Sequence, residues 1–293
     1  MSHSTRKLTG NQKYLCMYCM VKKDTLTMAV SSSNVAKLSG LALFITLSGC
    51  GGGGAADSGA SGGGTVTPPV ANASPGGIWQ GTDPISNLPV TGLVTESGEL
   101  RFLRSDGAQY IGTVTTSGNS VTGSYSGYVP VGSVFPDGST QGTGSLSGTV
   151  SARQSFSATL QFTTSKNSRS TGTGTFSFNT LYNSGSSFQK IAGNYTDRTT
   201  GATVNVNGTG VIFSQDSVTG CIINGAVSII NSNYDAYAIS YTFGSCRGSY
   251  TYLNNTTATG LAFLDTTATP NVAYIGVSNA SAGYVLTQAL PRP

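Results

Sequence analysis

Ala226-Val227-Ser228-Ile229 and Tyr237-Ala238-Ile239-Ser240-Tyr241 stand on either side of Asn231-Ser232-Asn233-Tyr234-Asp235. Each flank alternates larger apolar residues with small or polar ones, the two-residue period of a strand whose faces meet different surroundings. The middle segment is built of residues that bend the backbone through local side-chain hydrogen bonds. Strand, turn, strand is the reading, and the hairpin is its simplest form. Cys221 and Cys246 lie symmetrically about the turn, with their midpoint at Asn233/Tyr234. That placement suits a bridge across the hairpin's open end. It also leaves open a reactive thiol at Cys246, whose neighbour Arg247 would lower its pKa.

The same texture extends outward from about Gly76 to Gln288. Runs of alternating hydrophobics are separated by turn residues every eight to twelve positions, which predicts an all-β sandwich or barrel. Strands are expected at 90–95, 99–104, 108–115, 120–129, 142–151, 155–163 and 172–178. A second set is expected at 203–207, 210–213, 226–230, 236–243, 248–253, 258–264, 272–277 and 284–287. No window shows apolar residues at helical spacing, and glycine is frequent throughout, so helices of ordinary length are not expected. Gly77-Ile78-Trp79-Gln80-Gly81-Thr82 and Ala192-Gly193-Asn194-Tyr195-Thr196-Asp197 open the two halves alike, each with one aromatic shortly after a glycine. The expectation is a first antiparallel meander over 76–185 and a second over 186–293, forming one or two small β-barrels or a β-sandwich.

Upstream of the strands the chain reads as address. Leu41 to Leu47 is the end of an apolar run of about ten residues behind Lys37, too short to span a bilayer but suited to the core of a signal peptide. Residues 1–49 are the expected signal, with the true start at Met20 or Met28 as alternatives, and 51–75 form a Gly/Ser/Ala/Pro tether averaging roughly 28 Å end to end as a random coil. Of the 15 basic residues six precede Cys50, and of the 11 acids one does, leaving nine against ten. The remaining chain carries a formal charge of −1, without a basic cluster, so nucleic acid is not an expected partner. The only histidine, His3, falls in the same removed segment, as do Cys16 and Cys19. Imidazole catalysis and His-ligated metal are thereby excluded.

Leu47-Ser48-Gly49-Cys50 resembles the bacterial lipobox, in which small residues precede an acylated cysteine. With the glycine tether and the Gly-Ile-Trp-x-Gly opening strand, residues 41 to about 290 resemble a broad group of uncharacterised outer-membrane lipoproteins of Gram-negative bacteria. Surface lipoproteins built of tandem small barrels share the outline. The resemblance implies a mature chain beginning at an acylated Cys50, with Gly51 in place of the aspartate of inner-membrane retention, and hence a lipid anchor in the outer membrane. An exported chain meets oxidising conditions, which favour a Cys221–Cys246 disulfide over a free thiol. On chain-entropy grounds such a bridge is worth about 3 kcal/mol.

Catalytic groups are few. Asp106 and Asp137 precede glycines in tight turns, Glu96 and Glu99 bracket Ser97-Gly98, and Asp197, Asp216, Asp235 and Asp265 lie in or beside connections, so they read as turn residues. Gly142-Thr143-Gly144-Ser145-Leu146-Ser147-Gly148 lacks the lysine and the helix of a phosphate loop and reads as a strand with close backbone approach. Trp79 and the tyrosines Tyr237, Tyr241, Tyr250 and Tyr252 are the candidate binding residues, the tyrosine pairs each on one face of a strand, either as cross-strand packing or as a stacking surface. No cofactor, metal site or catalytic residue is expected. The function that fits is a non-catalytic binding or structural module of the envelope, contacting a protein, an envelope polymer or a small ligand. The alternative is an envelope carbohydrate hydrolase using paired carboxylates.

Overall fold

The structure, a computed structural model, describes residues 71–197, 201–279, 281 and 283–292. The expected signal peptide 1–49, the lipidation site Cys50 and the tether up to residue 70 lie outside the described residues. The fold is all-β. A first sheet contains β1 (Gly77–Thr82), β2 (Pro89–Val94), β3 (Glu99–Arg104), β4 (Gln109–Ser117), β5 (Ser120–Tyr128), β6 (Gln141–Ser151), β7 (Ser155–Thr164) and β8 (Arg169–Asn179). A second contains β9 (Gly193–Thr196), β10 (Thr203–Val206), β11 (Val211–Gln215), β12 (Ile222–Ile229), β13 (Tyr237–Gly244), β14 (Thr257–Asp265), β15 (Val272–Asn279) and β16 (Tyr284–Pro291). In both, each strand pairs antiparallel with the next in sequence, as turns of a few residues require. The first sheet closes into a barrel where β1 meets β8, with Trp79 opposite Phe178. Beside the terminal strands of the second, flanking residues link the two ends: Arg292, after β16, donates to Lys190 O and Ala192 O ahead of β9, and Gln288 Nε2 of β16 donates to Asp197 Oδ2 just after β9.

Alternation explains the interior of the first barrel. Inward positions supply Trp79, Leu100, Phe102, Tyr110, Tyr125, Leu146, Phe156, Phe162 and Phe176, all buried. So many rings fit because neighbouring strands present glycine to them. A Cβ on Gly144 would lie 2.4 Å from the Tyr125 ring and 2.3 Å from Gln161 O, so only the bare backbone leaves room there. Most of the rings meet edge to face or tilted, as Trp79 does with Phe178 at 5.6 Å and Phe102 with Phe176 at 5.4 Å, while Tyr125 and Phe162 lie parallel at 6.1 Å. A cavity of about 30 Å³ lies between Asp83, Tyr110 and the apolar wall, which is room for about one water. The barrel is filled.

The second sheet encloses Tyr195, Val227, Tyr237, Ile239, Tyr241, Phe243, Leu264 and Val277 in the same way. The hairpin expected around 231–235 is β12–β13, with Ile229 opposite Tyr237 at its closed end and Cys221 bridged to Cys246 beyond its open end. A single turn of helix, α1 (Phe188–Ile191), precedes β9 and is capped by Ser187 Oγ, which accepts from Lys190 N.

Where the two sheets meet, strands carry apolar residues on both faces. Ile78 and Leu93 of β1 and β2 pack against Leu261 and Phe263 of β14, flanked by Tyr182 stacked on Tyr234 at 4.8 Å and Phe263 on Tyr274 at 4.9 Å. Together they form one compact unit. A polar seam crosses this contact: Arg101 donates to Gln109 Oε1 (2.7 Å), Ser278 Oγ and Thr259 O, and Gln109 donates to Val277 O and Leu286 O. Arg101 is buried, and its Nε alone finds no partner. Burial brings its guanidinium pKa down to about 10.

The expected strand over 248–253 is not one. Gly248–Leu253 is a 3-10 helix. Asn254 turns back on Cys246, accepting from Cys246 N at 2.7 Å and donating to Cys246 O at 3.1 Å. The side-chain amide thus takes the place of a partner strand, and the residues between must coil.

Candidate functional site

The aromatic residues singled out from sequence do not assemble into a surface. Trp79 and Tyr237 are wholly buried and Tyr241 nearly so, in the cores of the first and second sheets. Trp79 Nε1 donates to Pro75 O, and the Tyr237 hydroxyl lies 3.3 Å from both N and O of Ser187. Their parity was correct for Tyr237 and Tyr241, but the face they share is the inside. Tyr250 and Tyr252 are exposed at 38% and 46%, and the 3-10 turn that carries them replaces the shared strand face.

The carboxylates divide into two kinds. Asp106, Asp137, Asp216 and Asp265 cap their own turns, each accepting from a backbone N–H two residues on. Hydrogen bonds from Ser139 and Thr164 hold the Asp137 carboxyl at about 2. Asp83 and Asp235 are buried, and sequence reasoning assigned a role of this kind to neither. Asp83 closes one end of the first barrel, where its Oδ2 accepts from Tyr110 (2.8 Å), Ser86 (2.6 Å) and Arg104 (3.2 Å). Arg104 also grips Asp106 with two hydrogen bonds of 2.8 and 2.7 Å. Burial raises the Asp106 carboxyl, but its hydrogen bonds to Arg104 outweigh that and leave it below 3.8. Asp235 accepts from Leu264 N through both oxygens at 3.3 Å and pairs with Lys190 at 3.4 Å. Burial pushes its carboxyl up to about 6 against the pull of Lys190.

With both interiors packed, the outside offers the surface. On β4 to β8 outward positions align across five strands. One row is Thr113, Ser124, Ser145, Gln161 and Thr171. The next is Thr115, Thr122, Ser147, Thr159 and Thr173, and the third Ser117, Ser120, Thr149, Ser157 and Thr175. Fourteen of these fifteen side chains are hydroxyls. Some bond across the ladder, Thr159 to Thr173 and Ser157 to Thr175 at 2.9 Å, and Thr115 to Thr122 at 3.3 Å. Arg169 is the single charged residue in the five strands. At the edge of this field, Ile111, Thr113, Ser124, Ser126 and Thr143 surround a shallow depression of about 310 Å³ whose floor includes Gly112 and Gly144. Small serines on β5 between larger residues on β4 and β6 make the hollow.

A sequence signal for this wall was present: within β6, Gly142-Thr143-Gly144-Ser145-Leu146-Ser147-Gly148-Thr149-Val150 places a hydroxyl at every outward position. Among the described residues no three His, Cys, Asp or Glu gather as metal ligands, and no helix is long and apolar enough to cross a membrane. No family model, curated protein or solved structure matches the chain.

Proposed function

We propose that this chain is a lipid-anchored lipoprotein of the outer membrane that acts as a non-catalytic binding or structural module of the cell envelope. The observation that carries the binding reading is the contrast between two interiors packed with buried aromatic and aliphatic side chains and one extended hydroxyl wall with a single arginine. A module that holds a ligand on its surface needs no hollow. The anchor rests on the lipobox resemblance at Cys50, followed by a glycine run that would keep the folded part clear of the bilayer.

The hydrolase reading finds less support. Glycoside hydrolysis needs one carboxylic acid and one carboxylate facing a cleft. Arg104 engages Asp83 and Asp106 together, and Asp106 is held as an anion. Asp235, the carboxyl pushed toward neutral pH, is fully enclosed and meets a backbone amide and Lys190 rather than solvent.

The test is membrane fractionation of the full chain beside Cys50→Ser, with mass spectrometry of the extracted N-terminus. Wild type should partition with membranes and carry acyl chains on Cys50, and the variant should retain its signal and lose them. An unmodified Cys50, or normal fractionation of the serine variant, refutes the anchor.

A further inference from the structure

Resting on the binding-module reading, we propose that the outer wall of the first barrel binds a neutral polysaccharide, with the depression between Ile111, Ser124 and Thr143 as its seat. Charge selects the ligand class first. An acidic polymer or a nucleic acid is met by complementary positive charge, and one arginine in five strands supplies little. A ligand without charge loses nothing on such a wall. Each Ser or Thr hydroxyl both donates and accepts, which is also the hydrogen-bonding capacity of a sugar hydroxyl.

Spacing supports the same class. Adjacent strands lie about 4.8 Å apart, close to the length of one pyranose residue, so a glycan crossing β4, β5 and β6 meets a new hydroxyl with each sugar. Threonine presents its hydroxyl on a stiff, β-branched side chain, and the cross-ladder bonds at Thr115 and Thr159 hold part of the array in place before any ligand arrives. The depression adds what a flat array lacks. Ile111 offers an apolar patch for the C–H face of a ring, while Thr113, Ser126 and Thr143 present polar groups around it. The same pattern continues onto β7 and β8, so a long polymer has further equivalent contacts and gains by multivalency what single weak contacts do not give. β1 and β8 close the ladder over Ile78–Gln80 and Ser177–Asn179, which leaves a face rather than a full-length strand edge as the barrel's main exposed surface.

The experiment is native affinity electrophoresis of the detergent-solubilised full chain through gels containing mixed-linkage β-glucan or hydroxyethylcellulose, with polygalacturonate as the acidic comparison. Wild type should be retarded by a neutral glucan, insensitive to salt, and not by polygalacturonate. Thr113→Val/Thr143→Val keeps shape and strand propensity while removing two hydroxyls, and should weaken retardation by about 10-fold. Ser124→Lys, which sets a charge in the hollow, should abolish it. Melting temperatures of both variants within the wild-type range confirm that the barrel persists. Absence of retardation by both neutral glucans, retardation by the acidic polymer alone, or an unchanged Val pair overturns the proposal. Fractionation of the same protein separates the two readings: a chain anchored through Cys50 that ignores glucan refutes the ligand class and leaves the lipoprotein reading standing.

Discussion

Asp235 makes stability rise on mild acidification, opposite to the behaviour of a domain held by surface salt bridges. Its side chain is fully buried between Leu264 N and Lys190, and burial lifts the carboxyl from 3.8 to about 6. A group with a raised folded pKa takes up its proton in the native state first. Below about 6 the native form is therefore favoured progressively until the unfolded carboxyl also titrates near 3.8. The full difference of about two units corresponds to about 3 kcal/mol, of which about 2 kcal/mol develops between pH 7 and 4.5. For a unit of this size that is a rise in Tm of about 4 to 8 °C. The groups around it are Lys190, Asp265 and Tyr237. The only histidine is His3, outside the described residues, so no imidazole confuses the window. Asp106 and Asp137, held below 3.8, oppose the trend only as pH falls through their own lower range. Differential scanning calorimetry without reductant reads the effect directly. Asp235→Asn should flatten the profile between pH 7 and 4.5. A wild-type Tm that falls or holds level over that interval, or an equal slope in the asparagine variant, refutes the reasoning.

Three further outcomes are expected. Gly144→Ala places a methyl group 2.3 Å from Gln161 O and 2.4 Å from the Tyr125 ring, and should cost about 3 kcal/mol or more in denaturant unfolding, whereas Gly118→Asn in the β4–β5 turn, where a Cβ meets nothing, should cost well under 1 kcal/mol. Arg104→Met strands the buried Asp83 carboxylate and should cost about 3 to 5 kcal/mol, with Asp83→Asn in the same chain recovering part of it in a double-mutant cycle. Cys221→Ser/Cys246→Ser should lower stability by about 3 kcal/mol, and thiol titration of unreduced wild type should find neither cysteine of the pair free.

Most of the fold was legible because this chain obeys the two-residue period closely. Glu99–Arg104 was read from sequence as it stands, bounded by the turns at Ser97-Gly98 and Ser105-Asp106-Gly107, and Ser120–Tyr128 within one residue, since its inward valine, tyrosine and glycines and outward Ser and Thr alternate throughout. Gly248–Leu253 was misread for a reason of the same kind. Tyr250, Tyr252 and the intervening threonine alternate like a strand, but the fold of this segment is set by Asn254 bonding back to Cys246, which no local period encodes. Asp235 reads as a turn residue because it does stand in a turn, and Asp83, which no sequence motif singles out, caps its own turn by accepting from Ile85 N. Their burial comes from partners far along the chain, Arg104 and Tyr110 in one case and Leu264 in the other.

The division between the docked and the free wall was also written in the strands, in a form that single-face periodicity overlooks. Leu100-Arg101-Phe102-Leu103 and Leu261-Ala262-Phe263-Leu264 are apolar on both parities, and a strand of a filled barrel has no use for apolar side chains on its outer face unless another element covers them. Both runs lie in the contact between the sheets. By contrast, β5 to β7 place apolar groups or glycine inward, Thr164 at the end of β7 excepted, and Ser, Thr, Gln or Tyr outward. The outer faces of β1 to β3 and β14 to β15 are thus committed to holding the two sheets together. The outer face of β5 to β8 lies outside that contact, and its chemistry is hydroxyl, with Arg169 its one charge, repeated from strand to strand.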